Sequence, residues 1–133
     1  MADIYKLERR LIQFNSDYIR NYVQKGKKKE DITTTSIGGI YGRANKIDTS
    51  GPVPNPLVPQ LSSALSKIGE INTKSPICSN IIGCCCEIRV GNYLISNHSA
   101  KKDNISFTKA RRVRTNQYMK RCKNCISVFG IEK

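Results

Sequence analysis

Residues 83–94 read GCCCEIRVGNYL, and residues 121–125 read RCKNC. The first segment places a glutamate two positions after a cysteine, and the second is a Cys-x-x-Cys motif. Together they offer three thiolates and one carboxylate that is not needed as a ligand. A zinc ion with three protein ligands keeps its fourth tetrahedral position for water, whereas a structural zinc takes all four ligands from protein. The two segments therefore predict an open zinc site with an acidic group beside it.

We assign Cys85, Cys122 and Cys125 as zinc ligands and Glu87 as the general acid and base. Zinc enzymes that act on nucleobases pair a ligand-x-Glu spacing with Cys-x-x-Cys, and their glutamate carries protons without binding the metal. Side chains in the first turn of a helix lean towards its N-terminal end, so one helix can present both the ligand and the carboxylate. His98 is interpreted as a surface residue of a polar loop, with ligation by its imidazole left open.

The six cysteines also allow two other interpretations. A small basic chain can be held together by disulfides, although adjacent cysteines on a helix point in different directions. Alternatively, Cys84 or Cys78 joins the three assigned ligands and closes the zinc site. Otherwise Cys84 and Cys86 are small core residues, and Cys78 is a semi-buried free thiol.

The chain is strongly basic. It has 133 residues, with 23 Lys and Arg against 10 Asp and Glu, which gives a net charge of +13. A chain of this length can form one domain with a buried core. The charge favours a polyanionic partner, because each neutralised phosphate releases counterions; solubility alone is the alternative. Charged residues at the amino end argue against a signal segment, and we expect no membrane association.

Periodicity divides the chain into an amino-terminal part, residues 1–29, and a domain, residues 30–133. Apolar residues at spacings of three and four predict a helix over 3–25, which either packs on the domain or acts as a linker. The lysine run after Gly26 is interpreted as a solvated connection. The next segment is predicted to be a strand over 33–41, broken or bulged at Gly38-Gly39, followed by a turn at 42–45 and a second strand at 46–49. Residues 51–59 are predicted to be a proline-rich loop. Further along the chain we predict helices over 60–68, 84–96 and 122–129 and a strand at 105–108.

Basic and aromatic side chains alternate directly before the Cys-x-x-Cys motif. Cations that follow a phosphate backbone and rings that stack on bases suit single-stranded nucleic acid. We assign two weaker base contacts, Asn55 in the proline loop and Asn72, thirteen residues before Cys85. The predicted nucleic-acid contacts are Phe107, Lys109, Arg111, Arg112, Arg114, Tyr118, Lys120, Arg121 and Lys123.

With these motifs in place, the last 50 or so residues resemble the cytidine deaminase-like superfamily, in the Cys-x-Glu variants found as C-terminal toxin domains of bacterial polymorphic toxins. The resemblance implies a three-layer α/β/α fold with a central mixed sheet, in which two helices carry the zinc ligands. It also implies a zinc-dependent deaminase, with cytosine preferred over adenine and DNA over RNA. Delivery by a bacterium into the cytoplasm of a competitor cell and a cognate immunity protein are further implications.

The chain departs from that family in three places. Arg121 stands where a proline usually precedes the first cysteine of the second motif, and Cys86 replaces a small apolar residue. The chain ends soon after Cys125, so we expect fewer C-terminal strands than the family has, or strands supplied by residues 33–49. A non-catalytic zinc module that binds nucleic acid is the alternative function.

Overall fold

The computed structural model describes residues 3–132, which form an α/β fold. Over that range there are four α-helices, five strands and two short 3-10 helices, so the predicted α/β class is confirmed. No helix in the described range is both long enough and apolar enough to cross a membrane. The elements are α1 (Ile4–Gln24), β1 (Thr35–Tyr41), β2 (Ala44–Thr49), α2 (Pro59–Ser66), α3 (Cys86–His98), β3 (Ser106–Phe107), β4 (Ala110–Arg112), β5 (Tyr118–Met119) and α4 (Lys123–Phe129), with 3-10 helices at Lys29–Asp31 and Lys102–Asn104.

Strand β1 is the centre of the sheet, whose order is β2-β1-β4-β5 with β3 also paired to β1. Every described pair is antiparallel, so the expected mixed sheet is wrong. Hairpin turns join β1 to β2 and β4 to β5, and such connections produce antiparallel neighbours. Strands β2 and β4 point in the same direction but do not pair, because β1 lies between them. Helix α3 lies in the chain segment that connects them.

Strand β1 pairs with β2 along one edge and with residues 106–112 along the other, and this second segment contains a β-bulge. Gly39 pairs with Phe107, whereas Ser36 pairs with Arg111. Two residues of β1 therefore face three residues, 108–110, on the neighbouring chain, which is the count of a bulge. This extra residue divides what would be one strand into β3 and β4. The basic stretch after it forms the β4-β5 hairpin.

Two adjacent glycines let helices approach both faces of β1. A Cβ atom on Gly38 would lie 2.8 Å from a side-chain carbon of Leu7 in α1, and one on Gly39 would lie 2.6 Å from a methyl of Val90 in α3. The predicted break at these glycines is wrong, since β1 pairs with β2 through both positions. Glycine is needed here for close packing rather than for a bend.

Helix α1 covers one face of the sheet, with Leu7 and Leu11 buried. The buried side chain of Asn15 fixes its position, because its Oδ1 accepts a hydrogen bond from Ser36 Oγ at 2.6 Å and its Nδ2 donates to Asn116 Oδ1 at 2.7 Å. The helix is therefore packed rather than a free linker. The proposed division between residues 29 and 30 stays a prediction, because packing alone does not define a folding unit.

Helix α3 lies between the sheet and the remaining helices. Its residues Cys86, Val90 and Leu94 recur every four positions and pack on Ile37 of β1. Ile88, on another side of the helix, belongs to a second core cluster. Helices α2 and α4 supply most of that cluster, which comprises Leu61, Leu65, Ile82, Ile88, Cys125 and Val128. The sheet thus has helices on both faces, as the three-layer expectation requires.

Candidate metal centre

Two cysteines of the centre precede the first residues of two different helices. Cys85 is the N-cap of α3 and Cys122 is the N-cap of α4, both in extended backbone conformation. Their carbonyl groups accept the first helical hydrogen bonds, from Arg89 and Ile126, while neither side chain caps its helix. Cys125 is buried at the third position of α4. Both sulfur atoms at the N-caps are consequently free for another partner.

The three predicted ligands lie together. The Sγ atoms of Cys85, Cys122 and Cys125 are all within 4.8 Å of one another, and those of Cys85 and Cys122 are 3.2 Å apart. Zn–S bonds of about 2.3 Å in a tetrahedron place two sulfurs about 3.8 Å apart. All described cysteines are free thiols, which gives the disulfide interpretation no support. The cluster could hold a metal ion with only small shifts of its side chains.

Hydrogen bonds among the thiols polarise the cluster. Bonds from Cys125 and Cys85 lower the pKa of Cys122, whereas the bond to Cys122 is the largest cause that raises the pKa of the other two thiols. Without a metal, these hydrogen bonds therefore favour the thiolate form at Cys122 and the thiol form at the other two cysteines. A bound dication would displace both remaining protons, because cysteine binds metals as the thiolate.

Among the described residues, no fourth His, Cys, Asp or Glu joins the three sulfurs. Cys84 lines the adjacent cavity, and Cys78 is half-buried, but neither belongs to the cluster. His98 ends the thirteen-residue helix α3, about 20 Å from the end where Cys85 lies, so ligation by its imidazole is excluded. The fourth coordination position is left without a protein ligand from these residues.

Glu87 is the second residue of α3 and is only 4% exposed. Its Oε1 accepts a hydrogen bond from the Cys86 thiol at 3.1 Å, and its Oε2 lies 3.9 Å from Arg121 Nε. Thr35 Oγ1 in turn donates to Cys86 Sγ at 3.5 Å. Burial is the largest cause that raises the pKa of the Glu87 carboxyl group. A raised pKa lets this carboxyl group hold a proton more readily than a carboxyl group in water, as a general acid and base must.

A cavity of about 260 Å³ adjoins the cluster. Cys85, Cys122 and Glu87 all line it, so a bound ligand would meet the metal centre and the carboxylate together. Four polar residues of its wall were not predicted from the sequence. They come from the segment before β1, the first residue of β1, the residue after β2 and a loop, and only folding brings them together. They are Thr33, Thr35, Ser50 and Asn80.

Several predicted nucleic-acid contacts are engaged within the protein. Arg111 forms an ion pair with Glu8 at 3.0 Å, and Arg114 donates to the Glu30 carbonyl at 2.8 Å. Arg121 donates to the Gly130 carbonyl at 2.8 Å. These three guanidinium groups therefore have structural partners. Of the other predicted cations, Arg112 is half-buried, whereas Lys109, Lys120 and Lys123 are exposed and Lys120 also lines the cavity.

The two predicted aromatic contacts differ in exposure. The Phe107 ring packs edge-on against Phe129, with ring centroids 5.0 Å apart, and lines a second cavity of about 220 Å³. Tyr118 is exposed, and its hydroxyl donates to the Glu132 carboxylate at 3.0 Å. The Tyr118 ring is therefore the more accessible of the two, with Lys109 Nζ lying 5.4 Å from its centroid.

The two weaker base contacts do not reach the metal centre. Asn55 and Asn72 are exposed, and neither lines the 260 Å³ cavity. Asn72 instead adopts a left-handed conformation, with φ of 71°, in the loop that precedes α3. Asn80, further along that loop, lines the cavity.

The centre combines a cluster of three cysteines, a buried carboxyl group and a cavity that residues of both line. No protein-family model, curated protein or solved structure matches this chain. Its function is therefore inferred from the geometry of these residues.

Proposed function

We propose that the protein is a zinc-dependent hydrolytic deaminase that converts cytosine to uracil in nucleic acid, with single-stranded DNA favoured over RNA. The observation that carries this proposal is the shared cavity, which Glu87 lines together with Cys85 and Cys122 of the three-sulfur cluster. The Cys-x-Glu and Cys-x-x-Cys spacings add support, because this is the arrangement of zinc deaminases.

Zinc is the metal that suits the cluster best. Three thiolates in tetrahedral directions are typical zinc ligands, and a site with only three protein ligands is typical of catalysis. The N-terminal ends of α3 and α4 add positive partial charge beside the thiolates, which offsets part of their negative charge. Cys85, Cys122 and Cys125 would hold the ion.

The protein's own acid and base would be Glu87. Zinc, when bound, lowers the pKa of a coordinated water so that it becomes nucleophilic near neutral pH. Glu87 would accept a proton from the attacking water and deliver protons to the ring nitrogen and to the leaving amine. The balance is cytosine plus water giving uracil plus ammonia. Cys86 would hold Oε1 of the carboxyl group during these transfers.

The cavity wall is suited to a flat polar ring. Hydroxyl groups of Thr33, Thr35 and Ser50 and the amide of Asn80 supply donors and acceptors around a volume of about 260 Å³. A volume near the lower limit for ligand pockets fits one base rather than a paired duplex. An unpaired base enters such a pocket at the lowest cost, which favours single strands.

Incubation of the purified, zinc-loaded chain with single- and double-stranded DNA and RNA tests the proposal. We expect C-to-U changes, most in single-stranded DNA, and scoring A-to-I changes in the same samples tests the adenine alternative. Glu87→Gln should keep the metal and lose activity by at least about 100-fold, as expected when a general acid and base is removed. Full activity in that variant would refute the role of Glu87.

The closed-site alternative makes a different prediction. If the protein is a non-catalytic zinc module, Cys84→Ala or Cys78→Ala should release metal and Glu87→Gln should have no effect on any measured property. Under the deaminase proposal both cysteine variants keep one zinc ion per chain, because neither sulfur belongs to the cluster. Metal analysis of the two cysteine variants separates these two functions.

We extend the proposal to a toxin that acts in competitor bacteria and is neutralised by an immunity protein. This extension rests on the family resemblance of the two cysteine motifs. Expression in a bacterial host should raise the frequency of C-to-T mutations and reduce growth, whereas Glu87→Gln should do neither. Equal toxicity of both forms would show that deamination is not the toxic activity.

A further inference from the structure

Four lysines lie in the chain between the end of α1 and Thr33, a residue that lines the cavity. Lys25, Lys27, Lys28 and Lys29 are all exposed, and the segment 25–31 keeps a net charge of +2 after Glu30 and Asp31 are counted. The sequence alone suggests a solvated connection, because nothing local distinguishes the run from a linker. Its position in the fold gives it another possible role.

The lysine run, residues 25–29, is followed directly by a segment that is anchored beside the cavity. Ile32 is buried, and the next residue, Thr33, lines the cavity. Four residues span at most about 14 Å, so Lys29 lies within that distance of Thr33 along the backbone. Arg114 donates to the Glu30 carbonyl at 2.8 Å and the Val113 amide donates to the Thr34 carbonyl at 3.2 Å. These bonds fix the segment beside the β4-β5 hairpin.

A second exposed cation reaches the same cavity from another strand. Lys120 follows β5 and lines the cavity directly. Strand β4 lies between β1 and β5 in the sheet. The segment before β1 and the segment after β5 therefore approach the cavity from different sides of β4. Lys120 therefore supplies an exposed ammonium group at the cavity wall, and the lysine run precedes Thr33 of the same wall by a few residues.

We propose that the lysine run and Lys120 form a binding track for the phosphate backbone of a single strand, which crosses the cavity while one base enters it. This inference rests on the proposed function and assigns a binding site to the phosphates that flank the target base. A free nucleoside has no phosphates to engage the lysines. Cations along a groove that tracks the backbone are the usual basis of single-strand binding.

The test compares two double variants that each remove two positive charges. Lys28→Gln/Lys29→Gln removes charges from the track. Arg43→Gln/Lys101→Gln is the control, since both residues are exposed and lie at the far ends of β1 and α3, about 20 Å from Thr35 and Cys85 respectively. Neither control residue lines a described cavity.

Binding is measured with a labelled, deoxycytidine-containing oligonucleotide at several salt concentrations, in the Glu87→Gln background. Each lost phosphate contact lowers the slope of log affinity against log salt by about 0.7 for single strands, so the track variant should lose about 1.4 and the control almost nothing. In the active protein, the track variant should have several-fold lower kcat/KM on the oligonucleotide and an unchanged kcat/KM on deoxycytidine.

Equal salt slopes for the two double variants would overturn the track. An equal loss of kcat/KM on deoxycytidine and on the oligonucleotide would also overturn it, because the substitutions would then act on the cavity itself. If the chain never deaminates but the slopes still differ as expected, the proposed deaminase is wrong while the track is supported. The binding and kinetic measurements therefore separate the two proposals.

Discussion

The sulfur of Cys85 lies 3.2 Å from the sulfur of Cys122, although 37 positions separate them in the chain. Each cysteine is the N-cap of its own helix, and α3 and α4 meet at these ends. The second core cluster, which both helices share, holds them in this arrangement. The hydrophobic core thus determines the geometry of the ligands.

Replacement of a cluster cysteine should strongly weaken metal binding. In Cys125→Ala the site keeps two of its three sulfurs, so metal affinity should fall by more than about 100-fold, the upper end of the loss that is typical for an outer-sphere partner. Cys78→Ala is the matched control, because that thiol lies outside the cluster. Competition with a chelating dye measures both affinities, and equal values would mean that the cluster is not the metal site.

Removal of the metal should destabilise the fold, because the ion binds the folded cluster more tightly than the unfolded chain. At a free metal concentration about 1,000 times Kd, linkage adds about 4 kcal/mol to the free energy of unfolding. For a domain of this size the corresponding fall in Tm on chelation is about 15 °C. Thermal unfolding with and without chelator measures it, and the Tm of Cys125→Ala should respond much less to chelator because its metal affinity is lower.

The thiol of Cys86 should matter for catalysis and not for metal binding. It donates to Glu87 Oε1 at 3.1 Å while its sulfur accepts from Thr35. Cys86→Ala removes the donor and should lower kcat with little change in KM, whereas Cys86→Ser keeps a donor and should retain more of the activity. The same zinc content in both variants is the control. An unchanged kcat in Cys86→Ala would show that the hydrogen bond does not position the carboxyl group.

Local patterns in the sequence were sufficient to predict several elements. The spacing of apolar residues predicts α1, which the structure contains. The two strands and the turn between them that were predicted over 33–49 correspond to the paired strands β1 and β2. The ligand cluster was predictable because metal chemistry restricts which residues can occur at such spacings. Helix α3 begins at Cys86, two residues later than predicted, since Cys85 is its N-cap.

The features that were mispredicted depend on contacts between distant segments. A glycine pair has the same local pattern whether it bends a strand or admits a helix, and only the positions of Leu7 and Val90 decide between them. The same limit applies to Thr35 and Ser50, which reach the cavity through the antiparallel register of β1 and β2. The register between the two strands cannot be predicted from the periodicity of the sequence.

Close packing at Gly39 predicts a costly substitution. In Gly39→Ala the new methyl would lie 2.6 Å from Val90 Cγ1, so the free energy of unfolding should fall by about 1–3 kcal/mol, as is typical for overpacking. Combining it with Val90→Ala should cost less than the sum of the two single changes, because the second change makes room for the first. Urea denaturation of the four proteins measures this coupling. Additive effects would show that the two positions do not touch.

The hydrogen bonds of Asn15 predict a second coupling, on the opposite face of the sheet. Asn15→Ala leaves the buried Ser36 hydroxyl without its acceptor and should lower the free energy of unfolding by about 1–3 kcal/mol. Gln13→Ala, at an exposed position of the same helix, should change it by less than about 0.5 kcal/mol. The double variant Asn15→Ala/Ser36→Ala should cost less than the sum of its parts, since it removes the donor together with its acceptor. If Asn15→Ala is as mild as Gln13→Ala, water replaces the asparagine and α1 does not depend on this bond for its position.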